Sequence, residues 1–185
     1  MKTLFIDTHL FDLHIVLFNN NEIEREEHIL EKKQNSIYLM PSIKKVLNND
    51  IPDRIVVING PGSFTGVRLG ITIAKTLAYT LNIPIYPLTY FELMNNSSDS
   101  SEHTFAIDDS NGYFIAKYNN NILEGELRYF NYKEIDVNLL NQLETAVSID
   151  FNKVLNKISA SYPVNPHSVN PIYVKLIGVE YDKKN

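Results

Sequence analysis

The sequence predicts an α/β chain built from two lobes of related topology, and three observations carry that reading. Short β-branched runs alternate with longer segments of helical periodicity. Phe105-Ala-Ile-Asp-Asp109 followed by Tyr113 to Asn121 repeats the pattern of Leu4-Phe-Ile-Asp-Thr8 followed by Leu13 to Asn21, with the offset changing by one residue between the blocks. Asn95 to His103, with Asn-Asn-Ser-Ser-Asp-Ser-Ser at its heart, is the most loop-like stretch and marks the boundary between residues 1–100 and a smaller lobe, 101–185.

Taken in order, Thr3 to Thr8 reads as a buried strand and Leu13 to Asn19 as a second. Asn19-Asn20-Asn21 supplies the hairpin turn. Glu22 to Ile29 is a charged, edge-like third strand whose charges discourage pairing with other chains. A helix follows from Asn35 or Ser36, with Leu39, Ile43, Val46 and Leu47 at helical spacing, Pro41 expected to bend it, and Lys44-Lys45 where the macrodipole favours cations. Asn48, Asn49, Asp50 and Pro52 close it, and Arg54 to Asn59 is a central strand. Beyond the glycine-rich run at 60–66, a second helix spans about Thr65 to Leu81, capped by Ser63 or Thr65 and ended by Asn82 and Pro84. Ile83 to Leu88 is a further strand. After the repeated hairpin, the second lobe continues with a strand over Ile122 to Asn131, helices near Val137 to Leu143 and Asn152 to Ser159, and a short strand, Ala146 to Ile149, between them.

Composition sets limits on function. The chain has 185 residues, long enough to bury a core without staples, and it has no Cys, which removes disulfides, thiol nucleophiles and thiolate metal sites and suits a reducing cytosol. Lys2, Asp7 and His9 interrupt any leader-like apolar run, and no segment approaches the roughly 20 apolar residues of a membrane span. The expectation is a cytoplasmic protein with no membrane contact. Its 17 basic against 22 acidic side chains show no stripe for neutralising phosphates, and Lys32-Lys33, Lys44-Lys45 and Lys183-Lys184 read as solvated faces.

The run of highest information content is Gly60-Pro61-Gly62-Ser63-Phe64-Thr65-Gly66-Val67-Arg68-Leu69-Gly70, placed between a strand and a helix. A helix N-terminus with glycines suits an anion or a close-approaching backbone. It is neither common phosphate loop: a Walker A motif needs Gly-Lys-Ser/Thr where Thr65-Gly66-Val67 stand, and a dinucleotide fingerprint needs glycine at Thr65. Along the following helix, Gly66, Gly70, Ala74 and Ala78 form a ridge of small side chains, flanked by Leu69, Ile73, Leu77 and Leu81. Two readings stay open at this level: the ridge lies against the protein's own sheet, or another helix packs closely on it.

Catalytic candidates are weak. His9 and His14 sit on or beside strands at a spacing that sends them to opposite faces, and no His-Glu-x-x-His or His-x-x-x-His occurs. Asp108 and Asp109, adjacent at a strand end, point to opposite sides more readily than to one magnesium ion. Asp7 reads as a turn-fixing residue, and Ser63 lacks the Gly-x-Ser-x-Gly context of a hydrolase elbow. No catalytic or metal-ligating residue is assigned.

Ile6-Asp7-Thr8, Asn35-Ser36 through Leu39, Pro41 and Ile43, the run Gly60 to Arg68 with Gly70 and Ala74-Lys75, Ile83-Pro84, and Pro171-Ile-Tyr-Val-Lys175 together resemble the TsaB (YeaZ) family. The resemblance is dense over residues 1 to about 94 and thin beyond. It implies an actin-like, Hsp70-like ATPase fold (ASKHA, ribonuclease H-like) of two related lobes, the second shortened. It also implies a non-catalytic paralogue and activator of the TsaD-type transferase that makes threonylcarbamoyladenosine on tRNA, with a TsaE-like ATPase as third component and a homodimer when alone. On this resemblance tRNA is met only through the complex, the chain has no cofactor of its own, and ATP or ADP belongs at the complex interface. The partner-binding residues it implies are Leu39, Ile43, Val46 and Leu47 on the first helix and Gly66, Leu69, Gly70, Ile73, Ala74, Leu77 and Ala78 on the second. The motif loop is Gly60, Pro61, Gly62, Ser63, Phe64, Thr65, Gly66 and Arg68. Asn35 stands where the family often has His, and Val174-Lys175 where it usually has Leu-Arg. The rival readings are a small-molecule kinase or other phosphotransfer enzyme of the same fold, a metallopeptidase related to TsaD whose His ligands are missing here, and a direct tRNA binder, which the acidic charge opposes.

Overall fold

A computed structural model describes residues 1–30 and 35–175; Lys32-Lys33 and Lys183-Lys184 lie outside these residues. The strands β1 (Lys2–Asp7), β2 (Leu13–Asn19), β3 (Glu22–Ile29), β4 (Arg54–Ile58) and β5 (Ile85–Leu88) form one sheet in the order β3-β2-β1-β4-β5. The first three pair antiparallel, β1 with β2 across residues 8–12 and β2 with β3 across the Asn20-Asn21 turn, whereas β1, β4 and β5 pair in parallel. The parallel β4–β5 pair requires a crossover, here the helix α2 (Phe64–Leu81).

Strand alternation explains why both faces of this sheet are covered. Leu4, Ile6, Ile15, Leu17, Ile55 and Val57 point to one side, where they meet Leu39, Ile43 and Val46 of α1 (Asn35–Leu47) and Val67, Ile71, Ala74 and Ala78 of α2. Phe5, Val16, Phe18, Val56 and Ile58 point to the other, where they meet Leu93 of α3 (Tyr90–Ser97) and Val154, Leu155 and Ile158 of α5 (Phe151–Ser159). α1 continues through Pro41, and the solvated reading of Lys44-Lys45 holds, both being exposed in its last turn.

The second sheet consists of β6 (Glu102–Asp108), β7 (Gly112–Asn119), β8 (Ile122–Leu123) and β9 (Arg128–Asn131), the last two both pairing with β7. Its hairpin repeats the first. Lys2 pairs with Asn19 and Glu102 with Asn119, and the turns Asn20-Asn21 and Asn120-Asn121 both take the left-handed conformation that fits a two-residue hairpin. The strand-end aspartates repeat as well: Asp7 Oδ1 accepts the His9 N–H at 3.0 Å and Asp108 Oδ1 accepts the Ser110 N–H at 2.8 Å. Between the sheets lies α3, with Phe91 and Met94 packed on the second sheet and Leu93 on the first.

Several local expectations need correction. The stretch from Asn95 is not all loop, because α3 runs to Ser97, held at its start by a capping box between Thr89 and Glu92. The strand expected over Ile122 to Asn131 breaks into β8 and β9 around Gly125, whose φ of +78° leaves the extended region. The helix near Val137 to Leu143 is one turn, α4 (Val137–Leu140), and Ala146 to Ile149 forms no strand; the segment before it contributes only the bridge Phe105–Glu144. Asn152 to Ser159, read as part of the second lobe, is helical but packs on the first sheet. Arg54 ties it there, donating to Thr3 Oγ1 at 2.8 Å and to Ser159 Oγ at 3.0 Å. The chain after it stays with the first sheet: Val164 bridges Ile85, and the Ile172 N–H donates to the Asn59 carbonyl at 2.8 Å.

Candidate partner-binding face

The motif loop leaves β4 at Asn59 and immediately needs its glycines. Gly60 has φ +122°, and its carbonyl accepts the Tyr90 N–H at 2.9 Å. A Cβ at Gly62 would overlap the His9 carbonyl, to which Ser63 N–H donates at 2.6 Å. A Cβ at Gly66 would overlap the Thr8 carbonyl, and one at Gly70 the Thr8 hydroxyl, which itself donates to Gly66 O at 2.7 Å. The glycines therefore seat the loop and α2 directly on the end of β1 and the turn after it. Ser63 caps the helix, its Oγ accepting the Gly66 N–H at 3.3 Å.

This settles which way the small-residue ridge faces. Gly66, Gly70, Ala74 and Ala78 are all buried against the protein's own sheet, as are Leu39, Ile43 and Val46 of α1. These seven positions are core and not a surface for a partner, because close packing within the chain already uses them. Leu47, Leu69, Ile73 and Leu77 are half-buried at the flank of the same core. The exposed apolar residues of the two helices include two that the periodicity reading passed over: Ile37, 58% exposed, and Met40, 46% exposed, both on the outer side of α1. Their signal was present in the sequence, since α1 carries more apolar positions than one buried stripe can use.

Of the motif residues, Pro61 is buried, Gly62 and Ser63 half-buried, and Phe64, Thr65 and Arg68 exposed. The Arg68 guanidinium lies 3.6 Å from the centre of the Phe64 ring and donates through Nε to the Tyr173 hydroxyl, while Phe64 and Tyr173 stack at 5.0 Å. Beneath Phe64 is a cleft of about 400 Å³, lined among others by Phe11, Asp109, Phe114 and Lys175. Lys175 Nζ lies 3.0 Å from Asp109 Oδ2, and the ion pair and the Tyr129 hydroxyl raise the Lys175 pKa against the opposing effect of its burial.

The other acids and histidines have structural partners. Burial alone would push the Asp7 carboxyl up, but the charge and hydrogen bonds of His9 outweigh it and hold the group below the ordinary carboxylate value. His9 Nδ1 lies 2.6 Å from Asp7 Oδ1, and its ring stacks on Tyr90 at 4.1 Å. Burial pushes the Tyr90 phenol up to about 12, with Asp7 and Asp12 adding to the effect. His14 contacts Glu26 instead, its Nε2 2.6 Å from Oε1, so His9 and His14 do not converge. Asp108 and Asp109 divide as adjacent strand residues do, the first accepting from Tyr132 and the second from Tyr129. Among the described residues no group of three or more His, Cys, Asp or Glu side chains is placed to hold a metal ion. No helix among them is long and apolar enough to cross a membrane.

Comparison with known proteins agrees with this architecture. Residues 30–106 match the family model described as TsaD: tRNA N6-adenosine threonylcarbamoyltransferase. Two solved structures share the fold over nearly the whole chain at 16% identity. One, of an uncharacterized protein with similarity to peptidase YEAZ from Pseudomonas aeruginosa, has a TM-score of 0.74 over 94% of this chain and 99% of its own. The other, YeaZ from Pseudomonas aeruginosa, has a TM-score of 0.71 over 93% and 100%. The fold is thus the two-lobed, actin-like ASKHA fold in its YeaZ form. By sequence, the tRNA threonylcarbamoyladenosine biosynthesis protein TsaB of Bacillus subtilis is 40% identical over 100 residues, 51% of this chain and 43% of the relative. The chain is thus similar in sequence to TsaB and in fold to YeaZ, and the sequence match spans less than half the length of that curated relative.

Proposed function

We propose that this chain is a non-catalytic scaffold in the modification of tRNA to threonylcarbamoyladenosine, binding and activating a TsaD-type transferase. The observation that carries the reading is the α1–α2 pair, where Ile37 and Met40 of α1 stand exposed and Leu69, Ile73 and Leu77 of α2 are half-buried. Apolar side chains left on two adjacent helices suit a helix pair of a partner. The matched relatives and the matched family model, named for TsaB and TsaD, support the identity of that partner. The same face joins two copies of the chain when the transferase is absent. A TsaE-like ATPase completes the assembly, tRNA is reached only through the complex, and any ATP or ADP sits at the interface with the transferase and not within this chain. The net charge of −5 supports an indirect contact with tRNA.

The test is binding to the cognate transferase by the intact chain and by Met40→Asp and Ile73→Asp. A charge placed in a closed apolar interface weakens binding by roughly 100-fold or more. Undiminished affinity in both variants, with the chains folded, rejects this face as the docking site.

A further inference from the structure

Outside the motif loop and the helix pair, one side-chain cluster has the arrangement of an activated nucleophile. Ser98 Oγ lies 2.6 Å from His103 Nε2, and His103 Nδ1 lies 2.8 and 2.9 Å from the two carboxylate oxygens of Glu144. The carboxylate can only accept, so Nδ1 carries the proton and Nε2 is left to accept the Ser98 hydroxyl. The imidazole is itself held firmly, 8% exposed and stacked on Phe105 at 4.5 Å. Three separate segments therefore meet in the order nucleophile, base, orienting carboxylate, which is the geometry that activates a serine.

From this geometry we infer that Ser98 is a base-activated serine that accepts acyl groups from small activated esters, with His103 as general base and Glu144 as its positioning residue. Ser98 Oγ bonds to the carbonyl carbon while its proton passes to His103 Nε2. The bond to the alkoxy leaving group then breaks, and that group takes the proton. Water, deprotonated by the same nitrogen, cleaves the acyl–Oγ bond, restores Ser98 and releases the carboxylic acid. As His103 takes the Ser98 proton, the Glu144 carboxylate beside Nδ1 offsets the charge formed. The Ser100 N–H donates to Ser98 Oγ at 3.3 Å and helps fix the position of that oxygen. Ser98 is half-buried and its neighbour Asp99 is exposed, which suits a small acyl donor more than a bulky one. The activity uses elements other than α1 and α2 and stands or falls separately from the scaffold reading.

The test exposes the intact protein to an alkyl fluorophosphonate and, separately, to p-nitrophenyl acetate, locating adducts by peptide mass spectrometry. Wild type is expected to carry the adduct on Ser98 and to hydrolyse the ester, and Ser98→Ala to do neither. His103→Gln should slow both roughly 100-fold, the contribution of a general base. Glu144→Gln, altering a side chain 42% exposed and therefore compatible with folding, should slow them at least roughly tenfold while thermal unfolding stays cooperative. Absence of an adduct at Ser98 in the folded wild type overturns the inference, as does an equal labelling rate in folded Glu144→Gln; the cluster then only fastens the segment between α3 and β6.

Discussion

Replacing Gly66 with alanine separates the two orientations of α2 by the sign of its effect. If the ridge faced solvent or a partner, a methyl here would raise the stability of the isolated chain, because alanine gains up to about 1 kcal/mol over glycine within a helix. The structure places that methyl 2.2 Å from the Thr8 carbonyl oxygen and 3.4 Å from its carbon. Carbonyl backbone cannot rotate aside, so α2 must move away from the end of β1 by about 1 Å to reach ordinary contact. Overpacking of this kind costs about 1–3 kcal/mol, and the Thr8 hydroxyl bond to Gly66 O, worth about 1 kcal/mol, stretches with it. After the helical gain, the net loss is about 2 kcal/mol. For a chain of this size that corresponds to a fall in Tm of roughly 4–8 °C, readable by circular dichroism on the chain alone. An unchanged or raised Tm would refute the packing of α2 described above.

Three further outcomes follow from the same packing. Ser63→Ala, which removes the cap on the Gly66 N–H, should cost about 1 kcal/mol in urea unfolding. Leu155→Ala should cost about 2–5 kcal/mol, since Leu155 is 1% exposed in the core under the first sheet; a loss under about 1 kcal/mol would mean that α5 does not belong to that core. Asp7 has a lowered folded-state pKa, so the stability it contributes is present above its unfolded value of 3.8 and is lost as pH falls through the lower folded value. Asp7→Asn should therefore destabilise the chain at neutral pH, and the gap from wild type should narrow as acid unfolding is followed below that unfolded value, with a gap constant across that range speaking against the linkage.

What was legible in the sequence is what local physics decides. The buried apolar runs of β1 and β4, the alternation in β2, the asparagine turns and the repeated hairpin required only side-chain pattern and turn chemistry, and they stand in the structure. α3 had an equally local signal, Thr89 three residues before Glu92, but the polar run that follows masked it. The second lobe was less legible because its strands after β7 are short and its break at Gly125 depends on a backbone conformation that the apolar pattern does not report. Lobe membership after Asp150 was not legible at all, being fixed by Arg54, Thr3 and Ser159, residues distant in the chain. The candidate site divides the same way. Periodicity located the two helices and could not tell their inner from their outer faces; for α2, the closeness of Thr8 to Gly66 and Gly70 decides that. Of the residues that the resemblance implied, the structure buries seven, and the apolar side chains it leaves exposed on α1 include Ile37 and Met40.

The central claim, that this chain is a required activator without chemistry of its own in the pathway, is tested most directly by measuring threonylcarbamoyladenosine formation on tRNA by the cognate TsaD-type transferase and the remaining pathway components. The account predicts product only when the chain is supplied, and a loss of product with Met40→Asp that tracks its loss of binding. Equal product with the chain omitted would contradict it.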